Sequence, residues 1–401
     1  MFRVHDPFRR GQLAIAALFC SLGFQYATWA SRLPAIKAHL GLSSAEVGLL
    51  LMATGVGAAA SFPLVAWLMR RVGSRRLSLV SALGLTLLLF AMAAAPDYPV
   101  ALVVMCCDGV LVACLNVAMN AQGAALEARF ERNAMARLHA TFSGGSLAAA
   151  LLASAMNAVT STVAVHFAVA AVLLLLVLAS SRPGLLVDEV TAPDQPADTA
   201  KPAGRTWSLP ARMTLWMGLA MAFGTVTEGA MNDWSALYMK DVAKASAEVA
   251  PLGIAVVSVM MVLARLFADG WRARWGDGRV VRTGSAVAGL GLALALLSGG
   301  VGPALIGFAC VGLGIAAVTP CVYVAAAGQG SDALTLVATM GTTGLLAGPP
   351  VIGFVANASS LVWGLGAVAA SAVVVSLCST QIRWTAPEPE VAPVAAAASA
   401  P

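Results

Sequence analysis

Residues 46–76 read EVGLLLMATGVGAAASFPLVAWLMRRVGSRR. From Glu46 to Met69 the run is apolar and long enough for a membrane crossing, which takes about 20 residues. It ends at once in four arginines grouped around Gly73. An apolar span closed by a cationic loop is the signature of a helix that stops at a cytoplasmic surface. Working outward, comparable stretches occur at 12–32, 77–95, 99–125, 139–158 and 162–181, and again at 212–238, 250–270, 281–299, 302–327, 334–357 and 360–380. The pattern is six crossings plus six, an all-α membrane protein of two six-helix bundles.

Composition supports that class. Of 401 residues, 59% are hydrophobic and 11% charged, against about 25% charged in soluble domains; mean hydropathy is +0.84. Ala, Leu, Val and Gly, rather than aromatics, supply the excess, as in helices packed within lipid. The 7 cysteines lie in apolar stretches without metal-ligand spacing and read as packing residues. Arg3, Arg9 and Arg10 precede an apolar run of full spanning length, read as an uncleaved first helix rather than a signal peptide.

The net charge of +5 is a topogenic signal rather than a nucleic-acid footprint. With both termini inside, 20 of the 24 cations face the cytoplasm and Arg32, Lys37, Lys240 and Lys244 face outward. The expected location is a bacterial inner membrane, with cytoplasmic N- and C-termini. Four regions follow: an N-terminal bundle (1–181), a flexible cytoplasmic linker (182–210), a C-terminal bundle (211–383) and a disordered Pro/Ala tail (384–401).

The halves repeat. Trp29 is followed by Ser44-Ala45-Glu46-Val47 and then Gly73; Trp234 is followed by Ser246-Ala247-Glu248-Val249 and then Gly276. Glu46 to Gly73 is 27 residues and Glu248 to Gly276 is 28. Parallel repeats of this kind place a binding site near the midplane between bundles that rock against each other.

WASRLPAIKAHLGLSSAEVG from Trp29, RRVGSRR from Arg70, NVAMNAQ from Asn116, LHATFSGGS from Leu138 and EGAMNDWSALYM from Glu228 together resemble the major facilitator superfamily. GPPVIG from Gly348 is a weaker match. Within the superfamily the resemblance is to YbjJ-like inner-membrane transporters related to fucose permeases. It implies a twelve-helix fold and solute transport, and leaves the cargo open. Two departures stand out. The usual loop between helices 2 and 3 resembles G-x-x-x-D-R-x-G-R-R; here Arg71 and Gly73 match, but Arg70 stands where the acid is expected. Asn116 occupies a place where the resemblance implies a proton-carrying acid, and an amide does not titrate.

Ionisable side chains inside spans cost roughly 2.5–3.5 kcal/mol on insertion scales and mark function by default. Glu228 shares a helical face with Thr225 and Asn232, and reads as a proton-titrating or substrate-binding carboxylate, against a packing role. Asp233 is either a second proton site or interfacial. Gln25, Trp29 and Arg32, spaced i, i+4, i+7, form one wall of a central cavity, with Tyr26 and Trp234 as aromatic neighbours. Trp29 equally fits an aromatic belt, and Arg32 a headgroup contact or a pair with Glu228 or Asp233 closing an outer gate. Asn116 and Asn120, about 40° apart on one helix, suit a hydroxyl-bearing cargo or an interhelical bond; Asp108 is a substitute proton acceptor. His139 is a further titratable candidate or a helix-start contact. Arg265 and Asp269, at i, i+4, are read as an inner latch, and Arg71 with Gly73 as a gate loop. The clusters Gly312–Pro320 and Gly341–Gly353 are expected to bend and move.

No phosphate-binding loop, catalytic triad or metal cluster is present in the sequence, so neither an enzyme, an ATP-driven pump nor a cofactor is expected. The reading is a monomeric secondary transporter, proton-coupled, importing a small polar, sugar-like solute. Efflux of an amphipathic compound is the alternative, and a non-transporting sensor or scaffold the reading from another class.

Overall fold

The computed structural model describes residues 6–187 and 211–384. The expected linker and tail lie outside the described residues, apart from 182–187 and Trp384. The first half contains α1 (Pro7–Ser31), α2 (Leu33–Leu40), α3 (Ser44–Ala60), α4 (Phe62–Ala93), α5 (Tyr98–Phe130), α6 (Met135–Val159) and α7 (Val163–Ser181). The second contains α8 (Arg212–Asp241), α9 (Leu252–Trp275), α10 (Asp277–Ser298), α11 (Val301–Ile315), α12 (Val318–Ala327), α13 (Ser331–Ala358) and α14 (Leu361–Gln381). Among the described residues there is no strand.

Ten segments are long and apolar enough to cross a membrane by composition alone, the α11–α12 stretch counting as one. Two departures separate this from the twelve expected, and each has a local cause. Helix α8 carries Thr225, Thr227, Glu228, Asn232 and Asp233, too polar a set for a hydropathy test. Its 30 residues nonetheless reach about 45 Å, and it packs against α13 and α14.

The second departure lies in α4, where Gly73 has φ 76° and ψ 167° and breaks the helix. Ser61, by contrast, keeps helical backbone: its N–H donates to Gly57 O at 3.1 Å and its carbonyl accepts from Val65 N–H at 2.8 Å. One crossing therefore runs from Ser44 to Val72, and the next starts at Ser74. Gly276, the counterpart of Gly73 in the repeat, has φ 78° and ψ 152°. That region is open only to glycine, so the two halves make the same turn at the same place.

Within the first half α1 packs on α6 and α7, and α5 on α3 and α4; within the second, α10 packs on α11 and α14, and α8 on α13 and α14. Across the halves α3 meets α13, α6 meets α9, and α8 meets α1 and α2. Gly48 and Gly353 make the α3–α13 approach possible. A Cβ on Gly48 would lie 2.7 Å from Pro349 O, and one on Gly353 2.6 Å from Ser44 O. Pro349 and Pro350 sit inside α13 without ending it. The other glycine cluster does interrupt its helix: α11 stops at Ile315 and α12 resumes at Val318.

Candidate functional site

The two leading helices, α1 and α8, bring the polar groups together. Gln25 and Tyr26 are consecutive, so their side chains diverge by about 100° and reach different partners. Gln25 Nε2 donates to Asp108 Oδ1 at 2.8 Å within the first half. The Tyr26 hydroxyl donates to Asp233 Oδ1 in the second half. Gln25, Asp108 and Asp233 are 2%, 3% and 6% exposed, which leaves bulk water little access to either carboxylate. Asp108 Oδ2, Gln25 Oε1 and the indole nitrogens of Trp29 and Trp234 are buried without a hydrogen-bond partner in the protein. Unsatisfied buried polar atoms each cost about 1–3 kcal/mol, so this cluster is held at a cost.

Glu228 lies at mid-length of α8 and pairs with Arg265 of α9, Nη2 to Oε1 at 3.1 Å. The same guanidinium donates through Nη1 to Ser143 Oγ of α6, in the other half, at 2.6 Å. Arg265 thus ties a carboxylate of its own bundle to a hydroxyl of the opposite one. Asn232 folds back, donating to Glu228 O at 3.2 Å, and Thr225 donates to Gly341 O at 2.8 Å, fixing α8 to α13. Asn120 Nδ2 donates to Asn116 Oδ1 at 2.6 Å, leaving the Asn116 amide hydrogens and Asn120 Oδ1 for another partner. Asn116 and His139 are exposed; His139 stands edge-on to Phe19 at 4.9 Å.

Several expected pairings differ from those observed. Arg32 meets neither Glu228 nor Asp233: it is 2% exposed, its Nε donates to His166 Nδ1 at 3.0 Å, and its Nη atoms lie 3.4–3.5 Å from the carbonyls of Thr160 and Ser161. It fastens the start of α7 to the end of α1. The Arg265–Asp269 latch is also absent. Asp269 points outward and lies 3.6 Å from Arg272, while Arg272 takes Asp277 bidentately at 2.8 and 3.2 Å, bracing the turn at Gly276. Arg71 is exposed and lies over the Trp67 ring at 5.5 Å. Trp29 and Trp234, expected on a cavity wall, are buried at 3% and 1%, with Tyr26 edge-on to Trp29 at 5.2 Å.

Contacts across the halves concentrate at the end that carries Lys37 and Lys244. Lys37 pairs with Asp241 at 2.6 Å, Ser154 donates to Glu248 O at 2.5 Å and Asn157 to Ala247 O at 2.7 Å. Sequence reading missed these three, together with Ser143 and His166. Lys37 and Ser143 lie inside the motif stretches already singled out, which was the available signal; their partners lie 204 and 122 residues away in the chain.

The profile of the Major Facilitator Superfamily matches residues 13–330. The chain is 31% identical over 370 residues to an uncharacterized MFS-type transporter of Yersinia pestis, covering 89% of this chain and 92% of that protein. It is 30% identical over 365 residues to an uncharacterized transporter of Sinorhizobium fredii, covering 90% and 94%. It is 29% identical over 386 residues to membrane protein MosC of Rhizobium meliloti, covering 94% and 92%. Among solved structures, the nucleoside transporter NupG superposes with a TM-score of 0.69 at 15% identity, over 94% of this chain and 98% of that one. The POT family transporter PepTSo gives 0.67 at 12%, over 93% and 97%.

Proposed function

Because the chain belongs to the Major Facilitator Superfamily and is a membrane transporter of that type, not an enzyme, we propose that it imports a small polar, sugar-like solute by proton-coupled alternating access. It does so as a monomer in the bacterial inner membrane, with both termini cytoplasmic. We place it in the YbjJ-like subgroup related to fucose permeases, on the five motif stretches that start at Trp29, Arg70, Asn116, Leu138 and Glu228.

One asymmetry carries this reading. Ties between the halves gather at the lysine end and at mid-depth, from Lys37–Asp241 to Tyr26–Asp233 and Arg265–Ser143. Asn116 and His139 remain exposed. With the arginine-rich end cytoplasmic, we read this arrangement as an inward-facing state, closed outside by these ties, with the asparagine pair and the Arg265–Glu228 pair lining the cavity reached from inside. Amide donors and acceptors in such a cavity suit hydroxyls. In this closed-outside arrangement Trp29 and Trp234 are buried, so an amphipathic compound approaching from inside meets no wall formed by them.

Proton coupling rests on carboxylates whose hydrogen bonds depend on which end is closed. Asp233 loses the Tyr26 hydroxyl when the outer end opens, and Arg265, which holds Glu228 within its own bundle, is the group that Ser143 of the other half shares. A carboxylate that trades partners between two states takes up a proton in one and releases it in the other. The test is reconstitution in proteoliposomes, after a thermal-shift screen of sugars and polyols, with flux measured with and without an inward-directed pH gradient. Gradient-driven uptake that disappears in Glu228→Gln or Asp233→Asn supports the reading. Uptake indifferent to the gradient, or a ligand that binds without flux, rejects it.

A further inference from the structure

Away from the central polar groups, a cleft of about 260 Å³ opens on the flank of the second half, between α9, α10 and α11. One wall carries Trp271 and Trp275 of α9, stacked with centroids 6.3 Å apart; Phe267 extends the stack by one turn beyond the cleft, 6.1 Å from Trp271. The floor exists because two glycines face each other. A Cβ on Gly314 of α11 would stand 2.1 Å from Gly284 O of α10, so the backbones touch there and no side chain fills the space above them. Val280 and Val287 mark the ends of the α10 wall, about 10 Å apart along the helix. Trp275 and Val287 are 48% and 46% exposed, so the cleft opens to the surroundings of the bundle rather than to its interior.

Charge beside the cleft points to the occupant. Arg274 and Arg279 each precede a lining residue in the chain, Trp275 and Val280, and both are exposed. Among the described residues neither has an ion-pair partner, whereas Arg272 between them takes Asp277 and Asp269. An apolar slot flanked in the chain by two exposed guanidiniums without ion-pair partners, on the side of a membrane-embedded bundle, matches one amphiphile: a long acyl chain under an anionic phosphate. We propose that this cleft is a binding site for an anionic phospholipid of the cytoplasmic leaflet, one acyl chain lying against Trp271 and Trp275 and the phosphate on Arg274 and Arg279. The site is distinct from the solute pathway; its leaflet rests on the orientation proposed above, and its lipid selectivity does not depend on the transport reading.

The experiment uses the full chain in proteoliposomes containing brominated phosphatidylglycerol or brominated phosphatidylcholine, which quench tryptophan on contact. Subtracting the signal of Trp271→Phe/Trp275→Phe isolates the cleft. The cleft signal should be quenched at a several-fold lower mole fraction of brominated phosphatidylglycerol than of brominated phosphatidylcholine. Arg274→Gln/Arg279→Gln should abolish that preference while leaving the thermal unfolding temperature unchanged. Equal quenching by the two lipids means non-selective contact with bulk lipid and overturns the proposal. So does a preference that survives the double glutamine variant, or a cleft quenched by neither lipid, as when a second copy of the chain covers it.

Discussion

Tyr26 joins the two halves through a single hydroxyl, and removing it isolates one term of the closed state. Tyr26→Phe leaves the ring against Trp29 and deletes only the bond to Asp233. A carboxylate buried at 6% exposure then loses a donor, at about 1–3 kcal/mol, or about a 5- to 150-fold shift of the two-state equilibrium away from outer closure. A cysteine at Asn116 should accordingly react faster with an impermeant maleimide added from outside. Asp108→Asn is the complementary case. The new amide still accepts from Gln25, a bond within the first half that does not depend on which end is closed, so unfolding temperature should hold within a degree or two and the response of flux to a pH gradient should persist, unlike in Asp233→Asn. That polar side chains in these spans would matter was legible from the sequence, because each costs free energy in lipid. Which partner each takes was not: Tyr26 and Asp233 are 207 residues apart, and helical spacing carries no information across that distance. The same gap hid the Lys37–Asp241 pair, and let Arg32 be aimed at a carboxylate when a buried imidazole and two carbonyls satisfy it.

At the scale of elements, the two glycine turns are the clearest test of the repeat. Gly73 and Gly276 share a conformation that side chains avoid, so Gly73→Ala and Gly276→Ala should each cost about 1–3 kcal/mol. Far apart as they are, their effects on thermal unfolding in detergent should add within about 0.5 kcal/mol. This feature was readable from sequence alone, since two glycines sit 27 and 28 residues after matching Ser-Ala-Glu-Val stretches. The α8 crossing and the break at Gly73 were legible too, as the stretch 212–238 and as the arginine loop between two apolar runs; the packing of one bundle on the other was not. Gly48 tests the other kind of element contact, between bundles. Its missing Cβ lets α3 lie on α13, so Gly48→Val should wedge the outer end open, raising maleimide labelling from outside and lowering flux, with little loss of folded protein.

For the whole molecule, alternating access requires that the two ends move in opposition. The ties at Lys37–Asp241, Ser154–Glu248 and Asn157–Ala247 must break when the arginine-rich end closes. The most direct measurement is the distance between paired spin labels in a variant lacking the 7 native cysteines, one pair at Lys37 and Asp241 and another at Arg129 and Arg279, in lipid nanodiscs across a pH range and with the solute found by screening. The account predicts two populations at each pair that exchange reciprocally, the outer distance lengthening as the inner one shortens. Distances that stay fixed at both ends, or that lengthen together, would contradict it.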